Sequence, residues 1–274
     1  MTSKLSVFII RESMEMEILG SGTSHGIPVI GCTCPVCASL DPHDNRMRAS
    51  ALVRCDDGTT ILIDVGPEFR IQALRAKIDR LDAILLTHSH ADHVHGLDDI
   101  RIFSREKNIP IYADKTCLTD IRERFSYIFK QTQEGGGKPH VSLIEAPETG
   151  VISIGAIEVM PIPLGHGKIP ILGWRIGDTA YLTDCNFIPE ESILRLKGIK
   201  NLVIDSLRLR SHSTHFNFTE ALVQIEKIKP DFTWFTHICH DYTHTKLQKW
   251  LAANAPGKKI EPAFDGLLIR IECR

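Results

Sequence analysis

The chain has 274 residues, 43% of them apolar and 24% charged, with a formal net charge of -2 at pH 7. That length is ample for a sizeable core, the balance is that of a globular chain, and the near-neutral charge argues against a broadly basic nucleic-acid surface. No apolar run approaches the roughly 18 residues that span a bilayer. The early run LSVFII is too short for a signal h-region, and no small-residue cleavage site follows it. Eight cysteines are too few for a disulfide scaffold. These features point to a cytoplasmic chain with no membrane partner, in which clustered cysteines act as metal ligands or reactive thiols.

Residues 1–13 read as an N-terminal extension, and 14–274 as a single domain. MEMEILG (14–20) alternates and ends at glycine, as a strand does. ALVRC and TTILIDVG, joined by Asp56-Asp57-Gly58, read as a hairpin. Pro67 opens a helix over 67–77. DAILLTH is a short apolar strand ending in histidine, followed by a helix from about Gly96, the strand IPIYA and a helix over 116–129. The glycine run within 131–138 reads as a surface loop. In the second half a hairpin over 151–166 precedes ILGWRIGDTAYLTD, the helix PEESILRLKG, the strand NLVIDS, the helix TEALVQIEKIK and the strand DFTWFTH. Hairpins followed by strand–helix alternation in both halves suit two mixed sheets packed face to face with helices outside.

Thirteen histidines are present, mostly in tight groups, and THSHADHVHG (87–96) carries the strongest chemical signal. His88, His90, Asp92 and His93 follow a buried strand, and imidazole with carboxylate is a donor set for divalent transition metals. Asp64, His166, Asp184 and His237 each sit at the carboxyl end of another apolar strand, which is how the rim of a sheet assembles a site. Elsewhere, GCTCPVC (31–37) holds Cys32, Cys34 and Cys37 in a loop marked by glycine and proline. A third cysteine is surplus to a redox pair, and a closed tetrahedral zinc needs one more ligand. His25, His43, Cys239 and His240 are the candidates. Cys55, Cys117, Cys185 and Cys273 read as small buried hydrophobes.

Asp64, the run from His88 to His93, His166, Asp184 and His237 resemble the five ordered motifs of the metallo-β-lactamase superfamily, and the likeness covers nearly the whole chain after Met14. GSGTSHGIPVIGCTCPVCAS and HADHVHGLDDIR resemble more narrowly the PhnP-type phosphodiesterases, whose namesake opens phosphoribosyl cyclic phosphate. The resemblance implies an α+β, four-layer αββα sandwich with two divalent metals, manganese or zinc, at one edge. It assigns His88, His90 and His166 to one metal and Asp92, His93 and His237 to the other, with Asp184 bridging and Asp64 orienting a ligand. It also closes the cysteine site with His240, Cys239 being the alternative, for one structural zinc.

Such a site implies attack on phosphorus by a metal-activated water. Asp92 is then a catalytic residue as well as a ligand, and the resemblance puts His215 where a proton donor or phosphate contact stands. Arg208, Arg210 and His212 are possible substrate contacts, although an exposed charged loop accounts equally for the arginines. Asp98 and Arg101 read as a structural ion pair. The expected partner is a small cyclic or nucleotide-like phosphodiester, with no stable nucleic-acid partner and a possible homodimer. Thioester or lactone hydrolysis, tRNA 3′ processing and a non-enzymatic nucleotide-sensing module are the competing readings.

Overall fold

The structure is a computed structural model that describes residues 13–131 and 137–272. The expected extension lies outside the described residues up to position 12, as do the centre of the glycine loop (132–136) and Cys273. The chain lays down β1 (Ser13–Gly20), β2 (Ser50–Cys55), β3 (Thr60–Ile63), α1 (Phe69–Arg75), β4 (Ala83–Leu85), α2 (Ala91–Val94), β5 (Ile109–Ala113), α3 (Lys115–Arg124), α4 (Ser126–Phe129) and β6 (Val141–Glu145). It continues with β7 (Ile152–Ile154), β8 (Ile157–His166), β9 (Ile169–Ile176), β10 (Thr179–Leu182), α5 (Glu190–Arg195), β11 (Asn201–Asp205), α6 (Phe218–Ile228), β12 (Phe232–Thr236), α7 (His244–Asn254), β13 (Ile260–Pro262) and β14 (Leu268–Glu272).

Two seven-stranded sheets result, ordered β14-β1-β2-β3-β4-β5-β6 and β13-β12-β11-β10-β9-β8-β7. In the first sheet the pairings among β14, β1, β2 and β3 are antiparallel, and those from β3 to β6 are parallel. The second repeats this plan, antiparallel from β7 to β10 and parallel from β10 to β13. Parallel pairing requires a crossover, and the helices supply it on the outer faces. Three apolar layers follow from this. Met16, Val53 and Ile63 meet Val159, Trp174 and Val203 between the sheets. Phe69 and Ile121 cover the first sheet, and Ile193, Ile225 and Leu251 cover the second. The expected αββα sandwich is the observed one.

Some boundaries differ from the sequence reading. The helix expected over 116–129 breaks at Phe125, whose φ of -105° and ψ of 36° separate α3 from α4. The helix expected from about Gly96 is 3-10 rather than α, over Leu97–Ile102. No described helix is long and apolar enough to cross a membrane.

Candidate metal centres

The carboxyl ends of β3, β10 and β12 each deliver one residue in the left-handed backbone region: Asp64, Asp184 and His237, all with φ of 58°. Non-glycine residues pay about 1–2 kcal/mol for that conformation. Here it re-aims a polar side chain toward the rim just where the strand stops. Gly66 and Gly96 let the metal loop sit against the end of β3. A Cβ on Gly66 would lie 2.2 Å from the Asp92 carbonyl oxygen, and one on Gly96 would lie 2.2 Å from the Gly66 carbonyl oxygen. Val65 N–H donates to the His93 carbonyl at 2.7 Å and Gly96 N–H donates to the Val65 carbonyl at 2.8 Å.

The structure brings His88, His90, His166 and Asp184 together with one ligand atom each within 4.8 Å of the others, and does the same for His93, Asp184 and His237. Asp184 is common to both groups. Its Oδ2 lies 3.2 Å from His93 Nε2 and 3.6 Å from His88 Nε2, while Oδ1 lies 2.7 Å from His237 Nδ1. Asp92 joins through Oδ2, 3.2 Å from His93 Nε2. Asp64 stands behind the cluster. Its Oδ2 is 2.7 Å from His93 Nδ1, and it accepts from Thr87 N–H at 2.8 Å and the Thr87 hydroxyl at 2.9 Å. Thr87 in turn lies 3.0 Å from His88 Nδ1, and Thr23 Oγ1 lies 3.1 Å from His237 Nε2. These contacts settle which ring nitrogen faces the cluster.

Burial, with neighbouring imidazoles, holds His88 well below its usual range, and burial draws His166 down to about 4. Both shifts favour the neutral imidazole, the form that ligates metals. Burial alone would lower His93, but Asp184, Asp64 and Asp92 outweigh it and raise His93 well above its usual range. Burial would raise Asp184, but His237 and His93 hold it well below the usual carboxylate range. His88 Nε2, Asp92 Oδ2, His93 Nε2, His166 Nδ1 and His237 Nδ1 are all buried without a well-formed hydrogen bond. Buried polar atoms are ordinarily satisfied, so this concentration fits divalent cations.

His215 lies beside the cluster, with ring centroids 4.8 Å from His237 and 4.9 Å from His166. Its Nδ1 is 2.7 Å from Asp205 Oδ2. Burial lowers the affinity of His215 for a proton and raises that of Asp205. The loop is pinned by Phe216 N–H donating to the Cys185 carbonyl at 2.9 Å and Leu207 N–H donating to the Phe216 carbonyl at 3.0 Å. Sequence reasoning missed Asp205, Thr87 and Thr23. For Asp205 the signal was present, since NLVID is, like TTILID and TAYLTD, an apolar strand ending in a carboxylate.

The three candidate substrate contacts separate. Arg210 is exposed and pairs with Asp241 at 3.2 Å, so its guanidinium is already engaged. His212 is exposed, with Nδ1 3.2 Å from Thr214 Oγ1 and its ring 5.0 Å from His215. Arg208 is half-buried with Nε unpartnered, and its charge bears on both His212 and His215. Asp98 and Arg101 form an exposed pair at 2.8 Å, and Tyr127 donates to Asp98 at 2.8 Å.

The second cluster is the cysteine loop. Sγ of Cys32, Cys34 and Cys37 lie 3.4, 3.5 and 3.4 Å from His240 Nδ1. A tetrahedral zinc with Zn–S of about 2.3 Å and Zn–N of about 2.0 Å separates sulfur from nitrogen by about 3.5 Å, so the spacing fits one zinc. Cys37 N–H donates to Cys34 Sγ and, with further hydrogen bonds, lowers that thiol to about 6, while burial pushes Cys37 up to about 11. Cys239 stands outside this group, buried, its carbonyl accepting from Arg46 Nη1 at 3.1 Å.

Residues 59–238 match the family model of the beta-lactamase superfamily domain. A Porphyromonas gingivalis protein named octanoyltransferase is 41% identical over 256 residues, 93% of this chain and 51% of that protein, so the chain spans about half that relative's length. The crystal structure of a new diphosphatase from the PhnP family is 39% identical with a TM-score of 0.86, covering 95% of this chain and 98% of that one. Zinc-bound PqqB from Methylobacterium extorquens shares the fold, with a TM-score of 0.76 at 19% identity over 93% of this chain and 99% of its own. The chain therefore belongs to the metallo-β-lactamase superfamily of metal-dependent hydrolases and, within it, to the PhnP type.

Proposed function

We propose that the chain hydrolyses a small cyclic or nucleotide-like phosphodiester at the His/Asp cluster. In this reading His88, His90 and His166 hold one divalent metal and Asp92, His93 and His237 the other, with Asp184 shared. The metals, manganese or zinc, supply Lewis acidity and a water acidic enough to attack phosphorus near neutral pH. Asp64 and Thr87 fix the orientation of His93 and His88. Cys32, Cys34, Cys37 and His240 hold a structural zinc.

The observation that carries the reading is the Asp205–His215 pair, at 2.7 Å, stacked against His237. A leaving alkoxide must be protonated, and an imidazole with one nitrogen held by a buried carboxyl group takes the attacking water's proton on the other and passes it to that alkoxide. In this reading Arg208 meets the negative charge of a diester, which a neutral lactone or thioester does not carry.

The test is hydrolysis of bis(p-nitrophenyl) phosphate, cyclic nucleotides and phosphoribosyl cyclic phosphate by protein reconstituted separately with manganese and zinc. Metal-dependent cleavage of the diesters is expected. Activity confined to lactones or an octanoyl thioester would overturn the reading and favour acyl chemistry, as in the name of the Porphyromonas gingivalis relative.

A further inference from the structure

His88 and His90 are separated by Ser89, and α3 grips that residue twice. The Ser89 hydroxyl donates to Asp120 Oδ2 at 2.5 Å, and Arg124 Nη1 donates to the Ser89 carbonyl. Arg124 Nη2 also pairs with Asp120 Oδ2 at 3.2 Å, one helical turn away. Ser89, Asp120 and Arg124 thus close a small ring of polar contacts on the outer side of the metal loop.

The helix that carries this ring is itself fixed. Asp114 caps its start, accepting from Thr116 N–H at 2.8 Å and Cys117 N–H at 3.1 Å. Cys117 and Ile121 bury against the first sheet. Phe125, just past its end, meets the ring of His95 edge-on at 5.9 Å. The metal loop is therefore held from outside at Ser89 and at His95, while Asp64 and Thr87 hold it from beneath.

The geometry demands such a grip. Two histidines two positions apart reach one ion only when the peptide units flanking the residue between them turn both rings to the same side. The His88 and His90 rings do so, with centroids 4.4 Å apart. We propose that Asp120 and Arg124 are positioning residues for metal binding, pre-setting the His88–His90 chelate through Ser89. This inference rests on the reading of His88 and His90 as ligands. Neither Asp120 nor Arg124 belongs to the metal-competent groups among the described residues.

The experiment is zinc competition against a chromogenic chelator, with full-length protein carrying Asp120→Ala, Arg124→Ala or Asp120→Asn. Loss of a group that orients a ligand typically costs 10–100-fold in metal affinity. Asp120 and Arg124 are partly exposed, so the low end, about tenfold, is expected for either alanine variant. Asp120→Asn retains an acceptor for the Ser89 hydroxyl and should recover most of that loss. Zinc released only by a thiol-modifying reagent, which reports the cysteine cluster, should be unchanged. A role confined to packing would lower the thermal midpoint of the metal-stripped chain without changing affinity. Unchanged affinity in both alanine variants, or Asp120→Asn binding as weakly as Asp120→Ala, would overturn the proposal. His88→Ala separates the two levels of the argument. If it too retained full metal content, the ligand assignment would have failed rather than the grip.

Discussion

The His/Asp cluster draws its members from strand ends and one loop spread over the chain from Asp64 to His237. The cysteine cluster takes three of its four from six consecutive residues. The first is buried except for the half-buried His90, mixes carboxylates with imidazoles, and leaves several side-chain donor atoms without hydrogen bonds. The second is half-exposed and supplies four donors at tetrahedral spacing, with nothing left over. A centre that must exchange ligands is built on a rigid rim, with other groups fixing each side chain. A centre that only holds the chain together can be built on a loop, because the ion itself imposes the geometry. The two meet in residues 236–240, where His237 belongs to one and His240 to the other.

The comparison breaks most severely at Asp184, the one residue common to the two proposed metals. Asp184→Asn is the informative change, since asparagine tolerates the left-handed backbone found there. Activity should fall by about a thousandfold, the several kcal/mol that Lewis-acid stabilisation contributes. Metal content should fall, with the circular dichroism spectrum retained. An unchanged metal stoichiometry would contradict the bridging assignment.

Arg46 tests the join between the two centres. Its guanidinium is fully buried, donating to the Cys239 carbonyl at 3.1 Å, to Asp44 at 3.0 Å and to the Tyr242 carbonyl at 3.2 Å. It thereby clamps the segment from Cys239 to Tyr242, which follows His237 and contains His240. Arg46→Leu removes one member of a buried ion pair and strands the others, which should cost about 3–5 kcal/mol in chemical denaturation. A loss below 1 kcal/mol, roughly the worth of a surface pair, would show that the segment is held by other means.

What could be read from the sequence followed from how local each feature is. His88, His90, Asp92 and His93 are adjacent in the chain, so one tight loop is enough to bring them together. His166, Asp184 and His237 are distant from one another but carry a repeated cue, an apolar strand ending in a donor. Asp205 carries the same cue and was passed over, because one aspartate at a strand end also serves as a cap; its pairing with His215 exists only in three dimensions. Arg46 gave no cue at all, since a buried arginine has the sequence appearance of a surface one. The break at Phe125 was equally hidden. The helical pattern runs through it, and the ring packs against His95 in the metal loop. The sequence also grouped Arg208 with Arg210 as possible substrate contacts, but Arg210 is exposed and engages Asp241.

Asp205 offers a sharper cut within the His/Asp centre, separating proton transfer from metal binding. Asp205→Asn leaves the metal-competent groups around His88 and His93 intact while loosening the hold on His215. The expected loss in kcat is about a hundredfold for a diester with an alkoxide leaving group. It should be much smaller for bis(p-nitrophenyl) phosphate, whose phenolate departs without a proton. Equal losses on the two substrates would assign Asp205 to metal or substrate binding rather than to positioning a proton donor.

The smallest catalytic effect belongs to the cysteine cluster, and it asks how far the two centres are independent. Cys34→Ser should remove one zinc and lower the thermal midpoint by several degrees, because the ion's binding energy contributes to folding. Yet His237 has its own supports. Thr23 Oγ1 lies 3.1 Å from Nε2, Asp184 Oδ1 lies 2.7 Å from Nδ1, and Ile238 N–H donates to the Ser21 carbonyl at 3.0 Å. Arg46 holds the Cys239 carbonyl from a third direction. None of these contacts passes through the cysteines, so kcat measured well below the new midpoint should stay close to that of the unaltered protein. If kcat instead fell in step with zinc loss, residues 236–240 would transmit strain from one centre to the other, and the cysteine loop would be part of the catalytic apparatus rather than a brace beside it.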